Sequence, residues 1–444
     1  GLCFDTGRAA PAEFRVVRLI RSRAGPVSSG AGEISTLAGR IRRSGLRHVA
    51  PALLGVWTGT ACDGAATDGS SSFVVADSSG VEIASSAAPA WRPDTAWRVH
   101  AEASLEIGSA LGTDAYSLFR VGSVRRLSDG RIAVANRGTH QIRIYDRDGT
   151  HLRDLGREGD GPGEFRSLGR MWSTPGDSIV VDDGLGRVTV FGPDGALTRT
   201  VRLLPHGARV EVFLREPLAS GHLLVESGAP AEAPKPGRFV VRTWVYERRT
   251  AEGVHLNDVD SLAGGPQWGR PDGGYQGLPL SVVFPSAAGD GTSLYLGAAM
   301  RAEVRRYSPS GQLTRVIRWT APQREVTDEV IDSYRSWRED LYAEAGMAGH
   351  AMRGLEGMGH PASMPSYQGL LVAATCAWWV ERYAAPWEPP QGWWVFDPDG
   401  KWLGTPAFPS DLDIREVGVD YVLGVREDDS GVEYVVLHRL ERGE

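Results

Sequence analysis

The sequence predicts an all-β fold: a six-bladed β-propeller built from four-stranded antiparallel blades. Three observations point there. One family of short apolar runs recurs six times, each behind turn residues such as LSDG, TPGD or AAGDG: RIAV from Arg131, SIVV from Ser178, HLLV from His222, SLYL from Ser293, AWWV from Ala377 and YVLG from Tyr421. A second family alternates with it, as IRIYDRDG, VTVFGPDG, WVYERRTAEG, VRRYSPSG, WVFDPDG and YVVLHRL, and most members end in hairpin-turn residues. Finally, 56 glycines and 27 prolines are spread along the 444 residues, which suits many short strands joined by tight turns.

Residues 1–61 read as a leader. Arg40 to Arg47 is RIRRSGLR, followed by HVAPALLGVWTGTAC. A basic stretch, about a dozen apolar or small residues and a cysteine form the layout of a secretory signal. The apolar run falls short of the ~20 residues that a bilayer span needs. The pattern resembles a bacterial lipoprotein signal, with Thr60 and Ala61 before Cys62, although Gly59 stands where leucine is usual. The resemblance implies lipidation at Cys62 and an exported, membrane-tethered protein, periplasmic or on the cell surface. Residues 62–72 are small and polar, as a flexible tether should be.

The propeller is assigned to residues 73–444. FVVADSSGVEIAS, from Phe73, is an extra strand or a cover for an outer edge. WRVHAEASLEIG has no unit of its own, and the chain stops one strand short after YVVLHRL, so this N-terminal strand is expected to complete the last blade. A lone four-stranded sheet cannot bury both faces, and radial stacking of six covers them. One segment breaks the pattern, an insertion near residues 321–366. There VTDEVIDSYRSWREDLYAEAG sets Val330, Tyr334, Trp337, Leu341 and Ala345 at helical spacing behind Thr327 as N-cap. This helical insertion either caps the channel or packs apolar side chains onto the propeller.

Composition excludes several functions. Charged residues make up 23% and the net charge is −7, so nucleic acid is not an expected partner. Cys3, Cys62 and Cys376 form no CxxC, so neither a zinc site nor a disulfide framework is indicated. No GxSxG, HExxH, Walker A or complete EF-hand loop occurs. DRDG at Asp146 and DPDG at Asp397 mimic the start of a calcium loop, but both stand where every unit turns. LGREGDGPGEF, Leu155 to Phe165, has the glycine density of a phosphate loop, yet Glu158, Asp160 and Glu164 would repel phosphate. It reads as a connector between blades.

The segment SDGRIAVANRGTHQIRIYDRDGTHLRDLGREGDGPGEF resembles an NHL-type repeat, and the chain from about Phe73 resembles bacterial six-bladed propeller proteins often exported as lipoproteins. Similar scaffolds carry calcium-dependent lactonases and zinc-dependent amidating lyases, which would imply a divalent cation. RSLGRMW, after GPGEF, lacks the histidine of the lyase arrangement.

Loop lengths separate the two faces. Turns between first and second and between third and fourth strands are short. On the opposite face lie Ser227 to Arg238, Ser261 to Gly277, Tyr383 to Gly392 and the insertion. Long loops on a rigid scaffold are where binding resides. The binding-face candidates are Arg137, His140, Arg157, Asp160, Trp268, Tyr275 and Trp387, while the tryptophans at 378, 379, 393 and 394 are assigned to packing between blades. The function expected is that of a monomeric, non-catalytic binding or scaffold propeller recognising a protein, peptide or glycan. The alternative is a lactonase- or lyase-like enzyme whose metal ligands come singly from different blades.

Overall fold

The computed structural model describes residues 72–443, except 93, 112–113, 230–234, 270–274, 278–279, 282–285, 290–292, 344–348, 350–351, 353–354 and 356–358. The leader, the tether up to residue 71 and Cys62 lie outside the described residues.

Six antiparallel sheets follow one another along the chain. Blade 1 consists of Val121–Arg126, Ile132–Asn136, Gln141–Tyr145 and His151–Leu155, in spatial order from the axis outwards. Blade 2 runs from Met171–Ser173 to Leu197–Arg202, blade 3 from Val210–Pro217 to Tyr275–Gly277, blade 4 from Ser286–Gly289 to Leu313–Trp319, and blade 5 from Tyr367–Val372 to Trp402–Gly404. Blade 6 takes three strands from the C-terminus, and its outermost one, Arg98–Ile107, pairs antiparallel with Glu433–Glu441. The N-terminal strand thus completes the last blade, as the strand count required. Neighbouring innermost strands touch, that of blade 3 meeting blade 2 at its second strand, and that of blade 6 returns to that of blade 1, closing the ring.

The hairpin Phe73–Ser78 and Val81–Ser86 covers an outer edge. Its second strand runs parallel to the outermost strand of blade 4, pairing Ile83 with Val316, and makes a six-stranded sheet there.

The strands close as hairpins for a local reason. At Asp146 to Gly149 the Asp146 carboxylate accepts the N–H groups of Asp148 and Thr150, and Gly149 takes a φ of +85° that side chains resist. Asp397 does the same for Asp399 and Lys401. Both aspartates are committed to turns, as their place in the repeat indicated.

Packing follows the ring. Six apolar clusters each straddle two adjacent blades. Trp378 stacks on Phe396 at 4.1 Å between blades 4 and 5, and Trp379 and Trp393 fill the next seam, so the strand tryptophans are core. A seventh cluster lies off the ring. There Tyr334, on the helix Asp328–Ala343, packs with Val326, Leu355 and Met364 of the insertion against Leu280 and Ala385. The insertion therefore packs on neighbouring loops with an apolar core of its own. Cys376 lies in the first turn of blade 5, between Tyr367–Val372 and Trp378–Arg382.

Candidate functional site

Strand order places the blade connectors and the second-to-third loops on one face. The candidates read from sequence lie there in three separate groups.

The first surrounds the connector of residues 156–170. Phe165 is fully buried beneath it, and Gly156 must lack a side chain because a Cβ would sit 2.3 Å from the Phe165 ring. His140 points Nδ1 at the Phe165 carbonyl (2.8 Å), and Arg137 donates to the Gly169 carbonyl (3.2 Å), so both tie their own loop to the connector. Arg187 donates to the carbonyls of Asp160 and Glu164. Arg157 pairs with Glu164 at 2.7 Å and Asp160 with Arg166 at 2.5 Å, both at the surface. The hydrogen bond from Arg166 holds Asp160 below the usual carboxylate range. This is a rigid, zwitterionic ledge, and the ion pairs leave it little net charge.

The second group is on blade 3. Its third and outer strands, Phe239–Arg249 and His255–Gly269, run 11 and 15 residues, while those of blades 1, 2, 4 and 5 have three to seven. The expected loop from Ser261 is therefore strand as far as Gly269. Its Gly-Gly-Pro reads locally as a turn, but pairing with Val241 and Thr243 wins, and the register shift falls at the two glycines. A Cβ on Gly264 would lie 2.6 Å from the Trp244 ring. At the far end Trp268 meets Phe239 at 4.6 Å, with Phe239 and Val241 44% and 51% exposed. Tyr275 falls in the added strand Tyr275–Gly277, which pairs with Gln267, Trp268 and Gly269.

The third is Trp387. Its ring meets Tyr334 edge-on at 6.3 Å and joins the core of the insertion, so its proline-rich surroundings mark a packed loop. Arg324 clamps that loop through both Glu388 oxygens, one at 2.9 Å, and Ala385 N–H adds a third bond. Burial works to raise the Glu388 carboxyl, but these donors outweigh it and hold it low.

Sequence reasoning missed the charges on the innermost strands. Arg125, Arg215 and Arg415 are buried there, on blades 1, 3 and 6. Arg125 donates through Nη1 to the carbonyls of Val124 and, across the seam, Arg415, while its Nε and Nη2 have no partner among the described residues. Arg215 forms a bidentate pair with Glu226 (2.5 and 2.6 Å), and Arg415 binds Asp413 at 2.6 Å. Just ahead of blade 2, half-buried Arg170 makes no side-chain hydrogen bond or ion pair among the described residues. Burial and Arg215 bring its pKa down to about 9. Nearby Asp182 is pushed up to about 7 by burial. The sequence held a signal: Leu-Arg-Glu at 214–216 and Ile-Arg-Glu at 414–416 precede the first turns of blades 3 and 6, with a register shift at the arginine in both.

One group among the described residues has metal-ligand spacing: Glu247, His255 and Asp258. Arg209 bridges the two carboxylates at 3.0 and 2.5 Å, so a guanidinium stands where a cation would. All three residues belong to blade 3, whereas the enzyme alternative requires ligands from several blades.

No family model matches the chain, and no curated protein matches it. Among solved structures it is similar to a Bacteroides fragilis protein classed as exported (11% identity, TM-score 0.45, covering 82% of this chain and 100% of that one). It is also similar to a DUF4221-family member from Bacteroides vulgatus (11%, 0.44, 79% and 100%). A third is virginiamycin B lyase from Staphylococcus aureus (11%, 0.36, 78% and 96%). These likenesses are distant, and the propeller assignment rests on the chain's own six sheets.

Proposed function

We propose that this protein is a non-catalytic, exported binding propeller that recognises a protein, peptide or glycan on its long-loop face, tethered through a lipid on Cys62. The observation that carries the reading is the overlong blade 3 hairpin, which presents Phe239, Val241 and Trp268 as an aromatic and aliphatic patch. Exposed apolar side chains set on a rigid sheet cost little to order on binding, which suits recognition. The packed insertion stiffens the same face through the Arg324–Glu388 clamp. NHL-like repeats are part of this proposal as the sequence pattern that builds the blades.

A photo-crosslinking residue at position 239 should capture a partner from the cell envelope, and the same residue at position 148, in a turn of the opposite face, should not. Trp268→Ala should remove the adduct. Equal capture at both positions would sink the assignment of the face. Replacement of Cys62 by Ser should release the protein from membranes, and unchanged fractionation would remove the anchor.

A further inference from the structure

On the blade 6 sheet, beneath the connector from blade 5, lies a cleft of about 150 Å3, apart from the long-loop candidates. Its origin is a mismatch in strand length. The outermost strand of blade 5, Trp402–Gly404, has three residues, while that of blade 6, Arg98–Ile107, has ten. Part of the blade 6 sheet is left uncovered, and the connector roofs it with Pro409 and Asp411. Leu412 and Val436 form a buried apolar floor, and Ala103 a wall.

The polar groups are arranged unequally. His438 is 5% exposed, and its Nδ1 lies 2.8 Å from the carbonyl oxygen of His100. A carbonyl can only accept, so Nδ1 carries the proton and Nε2 of the neutral ring keeps a lone pair. Nε2 has no hydrogen-bond partner among the described residues. Glu106 is neutralised by Arg426 at 2.8 Å. Asp411, exposed at the mouth, has no hydrogen bond or ion pair among the described residues. The cleft therefore offers a buried acceptor, an apolar floor and, with Arg426 in the field of both Glu106 and Asp411, a net negative charge.

We propose that this cleft binds the ammonium head and short alkyl chain of a primary amine. An N–H is donated to His438 Nε2, Asp411 balances the charge, and the methylenes lie on Ala103, Leu412 and Val436. Cavities of roughly this volume hold molecules of about six non-hydrogen atoms, such as benzene. A carboxylate or phosphate would meet both Asp411 and the Nε2 lone pair. A divalent ion is not favoured, because His438 and these carboxylates do not form a group at ligating distances. The amine could be free or the side chain of a lysine, and the two share this chemistry.

The test is imidazole 15N NMR on the purified protein, titrated separately with n-butylammonium, n-butanol, n-butyrate and Nα-acetyl-lysine methylamide. Butylammonium should shift the His438 Nε2 resonance saturably, and butanol and butyrate should not. Asp411→Asn, a surface change that leaves the fold intact, should weaken binding at least tenfold. Ala103→Leu, which fills the cleft, should abolish it. Binding of the lysine amide as tightly as butylammonium would assign the site to a lysyl side chain, and binding of butylammonium alone would assign it to a free amine. No shift with either, an equal shift with butyrate, or unchanged affinity in Asp411→Asn would overturn the proposal.

Discussion

Replacing Asp182 by Asn should remove a fall in stability that the wild-type protein shows between about pH 4 and pH 8. The Asp182 side chain is 4% exposed and accepts one backbone N–H, from Gly184 at 3.1 Å. Burial raises its pKa from 3.8 to about 7, with Asp183 adding repulsion and Arg170 and Arg215 opposing. In this interval the native carboxyl keeps a proton that the unfolded chain has released, so stability falls as pH rises and the loss is complete just above the folded value. About three pH units at 1.36 kcal/mol each give a ceiling of roughly 4 kcal/mol. Asparagine keeps the shape and the acceptor for Gly184 but has no charge to bury. The variant should match wild type at pH 4 and exceed it by up to about 4 kcal/mol at pH 8. Urea denaturation at half-unit pH steps measures the difference, and taking variant minus wild type cancels every other titrating group. Parallel curves would refute the claim that the blade 2 to blade 3 seam holds a neutral carboxyl beside Arg170.

Two further outcomes follow from named contacts. Phe165→Ala empties the fully buried site beneath Gly156 and should cost about 3–5 kcal/mol in chemical denaturation, the range for a buried aromatic; a loss under 1 kcal/mol would mean the connector is not anchored there. Glu388→Gln breaks the charged clamp on the insertion and should raise hydrogen exchange in the helix Asp328–Ala343 about tenfold, as expected for ~1.5 kcal/mol from a charge-assisted bond. Because the folded Glu388 pKa is depressed, wild-type protection should persist above the ordinary carboxylate range and fade as pH drops through the folded value, and a pH-independent rate constant for opening would contradict it.

The second and third strands of the blades were legible because each repeats the same pattern beside the same turn residues, and the ring closure was legible because the strands had to be counted in fours. What escaped reading depends on partners far along the chain. Trp387 looked exposed among prolines, yet its partner Tyr334 lies 53 residues earlier. Gly-Gly-Pro in blade 3 looked like a loop because nothing local shows that Val241 and Thr243 will pair with it. Arg215 and Arg415 were not assigned from sequence because their shared Leu/Ile-Arg-Glu pattern does not by itself say that the arginine lies buried at a strand bulge.

The cleft beneath the blade 5 to blade 6 connector shows how such a feature can still be written locally. Pro406 and Pro409 follow Gly404 at once, and a residue without an N–H cannot extend a ladder, so the outermost strand of blade 5 stops after three residues. The blade 6 sheet it would have covered stays open over His438, and the same proline-bearing connector then crosses the gap and sets Asp411 at its mouth. A short strand elsewhere in the ring need not leave such a space, because the third-to-fourth turn of each following blade packs on the strand before it: Gly195 against Leu155 and Gly400 against Ile317. Blade 6 takes its outermost strand from the N-terminus, and in place of a third-to-fourth turn Trp91 and Trp97 fill the Arg98 end of that seam, Trp91 packing on Gly404. The opening over His438 lies towards the other end of the seam, under the blade 5 to blade 6 connector, so the short strand and its prolines, rather than the ring closure, place the proposed amine site there.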